Sequence, residues 1–188
     1  MNVNAQGRLR IIAGKWRSRK LAFPDQEKLR PTPDRVRETL FNWLQAEMPG
    51  SCCLDLFAGS GALGLEAASR GAEAVVMIEQ QHDAAAALSH NINLLDADNI
   101  ELIVADALEW LIRDKRVFDI VFLDPPYRSG MLGPCCEILE NGNILAENAK
   151  IYVEHALGDE DIVVPENWAC VKNKTAGQVA YKLYNRAG

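Results

Sequence analysis

From residue 51 onward, short apolar runs alternate with segments of helical spacing. The apolar runs are 52–57, 74–79, 100–104, 118–123 and 150–155, and the helical segments are 62–70, 82–95, 107–114 and 131–140. Near-continuous apolar runs are typical of strands that a parallel sheet buries on both faces. Their alternation with helices predicts a doubly wound, mostly parallel sheet with right-handed crossovers.

Two more strand patterns, 168–174 and 178–185, close the chain and meet near Gly177. They predict an antiparallel hairpin, which is an unusual end for a nucleotide-binding domain of the dehydrogenase type. The predicted fold class is therefore α/β, with a Rossmann-like, seven-stranded, doubly wound sheet and a C-terminal antiparallel hairpin.

The first 50 residues follow another pattern. Residues 8–13 and 16–23 predict two short strands around Gly14 and Lys15, and a helix with Thr32 as N-cap and Pro33 at its first position follows. We therefore divide the chain into an N-terminal hairpin and helix, residues 1–50, and a catalytic domain, residues 51–188.

Charge is distributed unevenly between these parts. The net charge is −6, yet residues 1–40 carry ten basic and four acidic side chains. Six basic residues fall within the first 20 positions without an acid: Arg8, Arg10, Lys15, Arg17, Arg19 and Lys20. A basic segment on an acidic body indicates a localised anion-binding surface, the alternative being a solvated tail.

Composition narrows the class of protein further. No apolar stretch reaches the roughly 20 residues that span a bilayer, and no secretory signal is apparent, so we expect a cytoplasmic protein without a membrane partner. The five cysteines lack the CxxC spacing of a zinc site, and we predict no metal. We also expect a monomer.

A glycine-rich turn follows the first strand of the body. Asp55, Phe57, Ala58, Gly59, Ser60 and Gly61 compose this turn, and a helix comes next. Its spelling also fits a dinucleotide site, so the turn alone leaves two chemistries open. An acid at position 55 disfavours a pyrophosphate but favours the ammonium of an amino acid, as in S-adenosylmethionine.

Two more acids stand at the ends of the next strands. Glu79 is placed to bind ribose hydroxyls, and Asp106, followed by Ala107, is placed to bind an adenine amine. Asp106 alone could equally be a helix cap. Three acids in a row at one sheet edge favour a methyltransferase cofactor site.

The fourth strand of the body ends in Asp124, Pro125, Pro126 and Tyr127. An aromatic amine is a weak nucleophile that needs hydrogen-bond acceptors, and the Asp124 carboxylate and the Pro125 carbonyl supply two. Tyr127 is suited to stack on a flipped base. A simple strand-ending turn is the alternative. We therefore predict methyl transfer to an exocyclic amine without a metal.

These motifs resemble class I methyltransferases, and more narrowly the bacterial family that methylates a guanine N2 of 16S ribosomal RNA. The narrower resemblance also rests on the segments 8–14, 30–38 and 174–177. It implies S-adenosylmethionine as cofactor, S-adenosylhomocysteine as product, and 16S rRNA in an assembled or partly assembled small subunit as partner. Arg30 and Arg35 join the six basic residues as candidate RNA contacts.

Other functions compete with this interpretation. A DNA adenine-N6 or cytosine-N4 methyltransferase shares the chemistry but usually carries a separate target-recognition domain. A glutamine-amide methyltransferase is disfavoured by the basic segment. An NAD-dependent oxidoreductase would leave residues 124–127 without a role, and a non-enzymatic RNA-binding protein would not explain the row of acids.

Overall fold

The computed structural model describes residues 6–24, 32–158 and 162–187. The strands are β1 Gln6–Arg10, β2 Lys20–Pro24, β3 Cys52–Asp55, β4 Ala74–Glu79, β5 Ile100–Val104, β6 Phe118–Leu123, β7 Leu145–Ala156, β8 Trp168–Ala176 and β9 Val179–Arg186. The helices are α1 Asp34–Trp43, α2 Gly64–Ser69, α3 His82–Leu94, α4 Ala107–Arg113 and α5 Leu132–Asn141. No helix among these residues is long and apolar enough to cross a bilayer.

Seven strands form one sheet in the order β5-β4-β3-β6-β7-β9-β8. Strands β3 to β7 pair in parallel, while β9 runs antiparallel to both β7 and β8. The order reverses direction between β3 and β6, which is the point where open sheets of this type bind ligands. The predicted fold class is confirmed.

Two apolar clusters cover the two faces of the sheet. The central strands alternate between them: Ile120 and Phe122 face one cluster, while Val121 and Leu123 face the other. All four side chains are buried, as a strand with helices on both sides requires.

The N-terminal hairpin exists, but its strands are displaced from the predicted ranges. Leu9 pairs with Leu21, and residues 11–19 form a long connection instead of a tight turn at Gly14. Gly14 has φ +83°, and a Cβ there would lie 1.8 Å from the Ser69 carbonyl oxygen. Because the Lys15 N–H donates to that oxygen at 2.7 Å, the connection lies directly against α2.

The start of α1 also differs from the prediction. Pro33, not Thr32, precedes the first helical residue, and it makes no side-chain capping bond. The Thr32 hydroxyl instead donates to Oδ2 of Asp124 at 3.2 Å. A tertiary partner has therefore replaced the local cap.

A buried ion cluster holds the N-terminal segment (the hairpin and helix within residues 1–50) against the body of the protein (residues 51–188). Glu66 of α2 is fully buried and accepts from the Ile12 and Ala13 N–H groups at 2.8 and 3.0 Å. It also lies 2.6 Å from Nε of Arg70 and 3.6 Å from Nη1 of the buried Arg37. The segment therefore shares a core with the sheet instead of extending into solvent.

Candidate active site

The glycine-rich turn folds around two carboxylates. Oδ2 of the buried Asp55 accepts the Gly64 N–H at 2.8 Å, and Oε2 of Glu79 accepts the Gly59 N–H at 2.8 Å. A Cβ on Gly64 would lie 3.0 Å from the same Asp55 oxygen, so the close approach of α2 to β3 favours glycine there. The turn is thus tied to the ends of β3 and β4.

Burial raises the pKa of Asp55 to about 7, and the charge of Glu79 acts in the same direction. The Gly64 hydrogen bond opposes them. A carboxyl group in this state gains stability from an approaching cation, because the cation replaces lost hydration. The Asp55 and Glu79 carboxyl groups therefore fit the ammonium of an amino acid and disfavour a pyrophosphate.

Other predicted cofactor residues occupy the turn and the start of α4. Ala58, Ser60, Gly61 and Ala107 are buried, while Phe57 and Gly59 are partly exposed. Asp106 is the N-cap of α4, since its Oδ1 accepts the Leu108 and Glu109 N–H groups at 3.0 Å each. The capping role left open in the sequence is therefore real, and any contact with adenine would come in addition to it.

The proline-rich motif lies directly beside this turn. Asp124 follows β6, which pairs with β3, and the charge of Asp55 contributes to the raised pKa of Asp124. Burial is the largest cause of the raised pKa of Asp124, and the charge of Glu154 is the second. The hydrogen bond from Thr32 lowers this pKa. Asp55, Glu79 and Asp124 therefore lie at the same end of the sheet, whereas the row predicted from the sequence consisted of Asp55, Glu79 and Asp106.

The remaining motif residues form a loop with graded exposure. Pro125 is buried, Pro126 is exposed, and Tyr127 is 54% exposed. The loop turns back on itself, because the Ser129 N–H donates to the Pro126 carbonyl at 3.2 Å. The aromatic ring of Tyr127 is thus accessible at the mouth of the site.

Sequence reasoning missed Glu154, a second carboxylate beside the motif. Leu123 pairs with Val153, so Asp124 and Glu154 come next on two neighbouring strands. Glu154 is 2% exposed and accepts from the Tyr152 hydroxyl at 2.7 Å and from the Tyr127 hydroxyl at 3.5 Å. Burial raises its pKa, although these hydrogen bonds and one with Thr32 lower it.

A cavity of about 440 Å³ adjoins this carboxylate. Residues from the proline-rich loop, the first turn of α5 and the end of β7 line it. His155 also lines it, and Nε2 of this buried histidine has no hydrogen-bond partner among the described residues. The cavity therefore offers polar atoms as well as apolar walls next to the motif.

The basic residues of the N-terminal segment point to solvent. Its apolar side chains Leu9, Ile11, Trp16, Leu21 and Phe23 are buried. The basic side chains that alternate with them are exposed: Arg8, Arg10, Lys15, Arg17, Arg19 and Lys20. Arg35 is exposed on α1 as well, whereas Arg30 lies outside the described residues. This alternation favours a folded anion-binding surface over a solvated tail.

Not all of these cations are equally available. Arg10 pairs with Asp34 at 3.0 Å, and Arg19 donates to the Leu94 carbonyl at 3.3 Å. Lys15 lies 5.2 Å from the centre of the Trp16 ring.

The described residues contain no group of three or more histidine, cysteine, aspartate or glutamate side chains arranged to hold a metal.

Comparisons with known proteins identify the family of the chain. Residues 9–185 match the family model described as Conserved hypothetical protein 95. The chain is 46% identical to ribosomal RNA small subunit methyltransferase D of Escherichia coli, over 98% of this chain and 93% of that protein. Identity with the protein of the same name from Haemophilus influenzae is 45%, over 96% and 95% of the two chains.

A solved structure from Escherichia coli superposes with a TM-score of 0.91 at 45% identity, covering 96% of this chain and 99% of that one. Sequence and fold therefore agree over almost the full length. The chain belongs to the family of bacterial ribosomal RNA small subunit methyltransferases that the Escherichia coli enzyme represents.

Proposed function

We propose that this protein transfers a methyl group from S-adenosylmethionine to the N2 amine of a guanine in 16S rRNA, within an assembled or partly assembled small subunit in the cytoplasm. The observation that carries the proposal is the position of Asp124 beside Asp55 and the glycine-rich turn. An amine held at Asp124 would face a sulfonium held at that turn.

The cofactor contacts follow from the row of acids. Asp55 would bind the ammonium, Glu79 the ribose hydroxyls and Asp106 the adenine amine. Glu79 already accepts the Gly59 and Gln81 N–H groups, but each carboxylate oxygen has capacity for a second donor. When bound, the cofactor supplies an electrophilic methyl group.

The protein contributes acceptors and a place for the proton. The Asp124 carboxylate and the Pro125 carbonyl would each accept one N2–H, which turns the nitrogen lone pair toward the methyl group. The Asp124 carboxylate would accept the proton that the amine loses when it takes up the methyl group. The raised pKa of Asp124 favours that transfer. Tyr127 would stack on the base.

RNA contacts are assigned to the exposed cations of residues 1–50, with residues 51–188 as the catalytic domain. We expect the double variant Arg17→Ala/Lys20→Ala to weaken binding to small subunits and to reduce the salt dependence by about one unit of slope per lost phosphate contact. Arg113→Ala, an exposed cation on α4, is the control. Equal slopes in the two variants would remove the assignment.

The central test follows labelled methyl groups. Small subunits from cells that lack the protein are incubated with the enzyme and S-adenosylmethionine labelled in the methyl group, and the digested RNA is analysed for N2-methylguanosine. Asp124→Ala should abolish transfer while S-adenosylhomocysteine binding stays within a few-fold of wild type. Asp98→Ala, an exposed aspartate, should behave as wild type. Label in DNA, in protein or in another base would overturn the proposal.

A further inference from the structure

Glu154 has no role in the proposed transfer, although burying its carboxylate is energetically unfavourable. A buried carboxylate loses hydration, and the structure offsets this loss with the hydroxyls of Tyr152 and Tyr127. The side chain also lines the cavity beside Pro125 and Pro126. A buried acid that faces a cavity at a catalytic motif is suited to bind a substrate donor.

Guanine carries such a donor next to its reacting amine. N2 is bonded to C2, and the neighbouring ring nitrogen N1 bears a hydrogen. In adenine and cytosine, the ring nitrogen beside the exocyclic amine on the same edge is N1 or N3, which bears only a lone pair. Asp124 and the Pro125 carbonyl satisfy the amine in all three bases. A site for guanine therefore needs one more acceptor, or N1–H is buried without a partner.

We propose that Glu154 accepts the N1–H of the target guanine and thereby determines specificity for this base. The assignment rests on the proposed function. Asp124 follows β6, and Glu154, within β7, is the next residue in register on the neighbouring strand. Neighbouring strands lie about 4.8 Å apart, so the two carboxylates would stand side by side at one edge of the base. An ionised carboxylate accepts about four hydrogen bonds, so the two tyrosine hydroxyls leave capacity for N1–H.

The tyrosines fix which edge of the base is accepted. Because the Tyr152 hydroxyl donates to Oε2 and the Tyr127 hydroxyl to Oε1, both oxygens are held as acceptors. A lone pair in place of N1–H would meet a negative oxygen and be repelled. Tyr127 links this selection to stacking, since one side chain would contact both the base and Glu154.

The test removes the N1 hydrogen without removing the reacting amine. The guanine mapped in the labelling experiment is replaced by 2-aminopurine or 2,6-diaminopurine in ligated 16S rRNA, which is then reconstituted into small subunits. Both analogues keep the 2-amine, lack N1–H and differ from each other at position 6. Values of kcat and KM are measured on all three substrates for wild type, Glu154→Gln and Glu147→Gln, an exposed glutamate of β7.

We expect wild type and Glu147→Gln to lose about 10- to 100-fold in kcat/KM on both analogues, the effect of one charge-assisted hydrogen bond. Glu154→Gln carries an amide that donates to N1 of the analogues as readily as it accepts from guanine, so its preference should fall at least tenfold. An unchanged preference in Glu154→Gln would overturn the assignment.

The wild-type measurements alone also test the assignment of Glu154, because equal kcat/KM values on the three bases would overturn it. A loss on one analogue alone would assign discrimination to position 6 and count against Glu154. Failure of wild type to form N2-methylguanine on the unmodified subunit would instead overturn the proposed function, so the two failures are distinguishable.

Discussion

Replacing Glu66 by glutamine tests how the N-terminal segment is held to the body. The substitution keeps the size of the side chain but removes its charge. Arg37 is 1% exposed, and Nε and Nη1 of this guanidinium have no hydrogen-bond partner among the described residues. Its charge is balanced by Glu66 at 3.6 Å and by the half-exposed Asp34 at 2.6 Å.

The expected cost follows from these contacts. Removing one partner of a buried ion pair typically costs about 3–5 kcal/mol, because the other charge remains buried. The glutamine amide would also point donor hydrogens at the N–H group of Ile12 or Ala13. For a chain of this length, 1 kcal/mol corresponds to roughly 2–4 °C, so the Tm should fall by about 10 °C.

Urea unfolding followed by tryptophan fluorescence measures the free energy of unfolding directly. Glu47→Gln, which changes an exposed glutamate, should stay within about 0.5 kcal/mol of wild type. The double variant Arg37→Met/Glu66→Gln removes both charges and should recover part of the loss. A Glu66→Gln protein that unfolds within about 1 kcal/mol of wild type would refute the reasoning.

Three further outcomes follow from the site and its surroundings. S-adenosylhomocysteine affinity, measured by calorimetry, should fall about tenfold per pH unit below 7, because protonating Asp55 removes the charge opposite the ammonium; Asp55→Asn should show no such dependence. Thr32→Val should lower kcat about tenfold with little change in KM, since Asp124 loses its hydroxyl donor. Arg186 chiefly lowers the pKa of Glu140 to about 2, so the stability this group contributes is present above pH 4.5 and is lost toward pH 2; unfolding of Glu140→Gln and wild type should converge over that range.

Local sequence patterns were sufficient to predict the strands of the sheet but not the bounds of the N-terminal hairpin that packs against it. Buried strands such as β4 and β6 were predicted at the observed bounds, because each is a short and near-continuous apolar run. The hairpin strands were displaced, since the close approach of Gly14 to Ser69 lengthens their connection. That approach is a tertiary contact between distant parts of the chain, and no local periodicity encodes it.

The same distinction separates the predicted from the missed site residues. Asp124 directly follows the apolar run 118–123, and Asp55 comes just before the glycine-rich turn, so both were recognisable in the sequence as strand-end residues. Glu154 lies within β7, which continues to Ala156, and therefore resembles an ordinary strand residue. Thr32 resembled a helix cap. Only the pairing of β6 with β7 and the docking of α1 bring these two residues to Asp124.

The N-terminal hairpin and the chain that leads into α1 contact both halves of the site. Glu66, which binds the hairpin backbone, belongs to α2, the helix that follows the glycine-rich turn. Just before α1, Thr32 donates to Asp124. A flexible basic tail would supply affinity for RNA without orientation. A segment fixed at these two points would instead hold the proposed RNA substrate in a defined position relative to the glycine-rich turn and to Asp124. Transfer to one base among many requires such positioning.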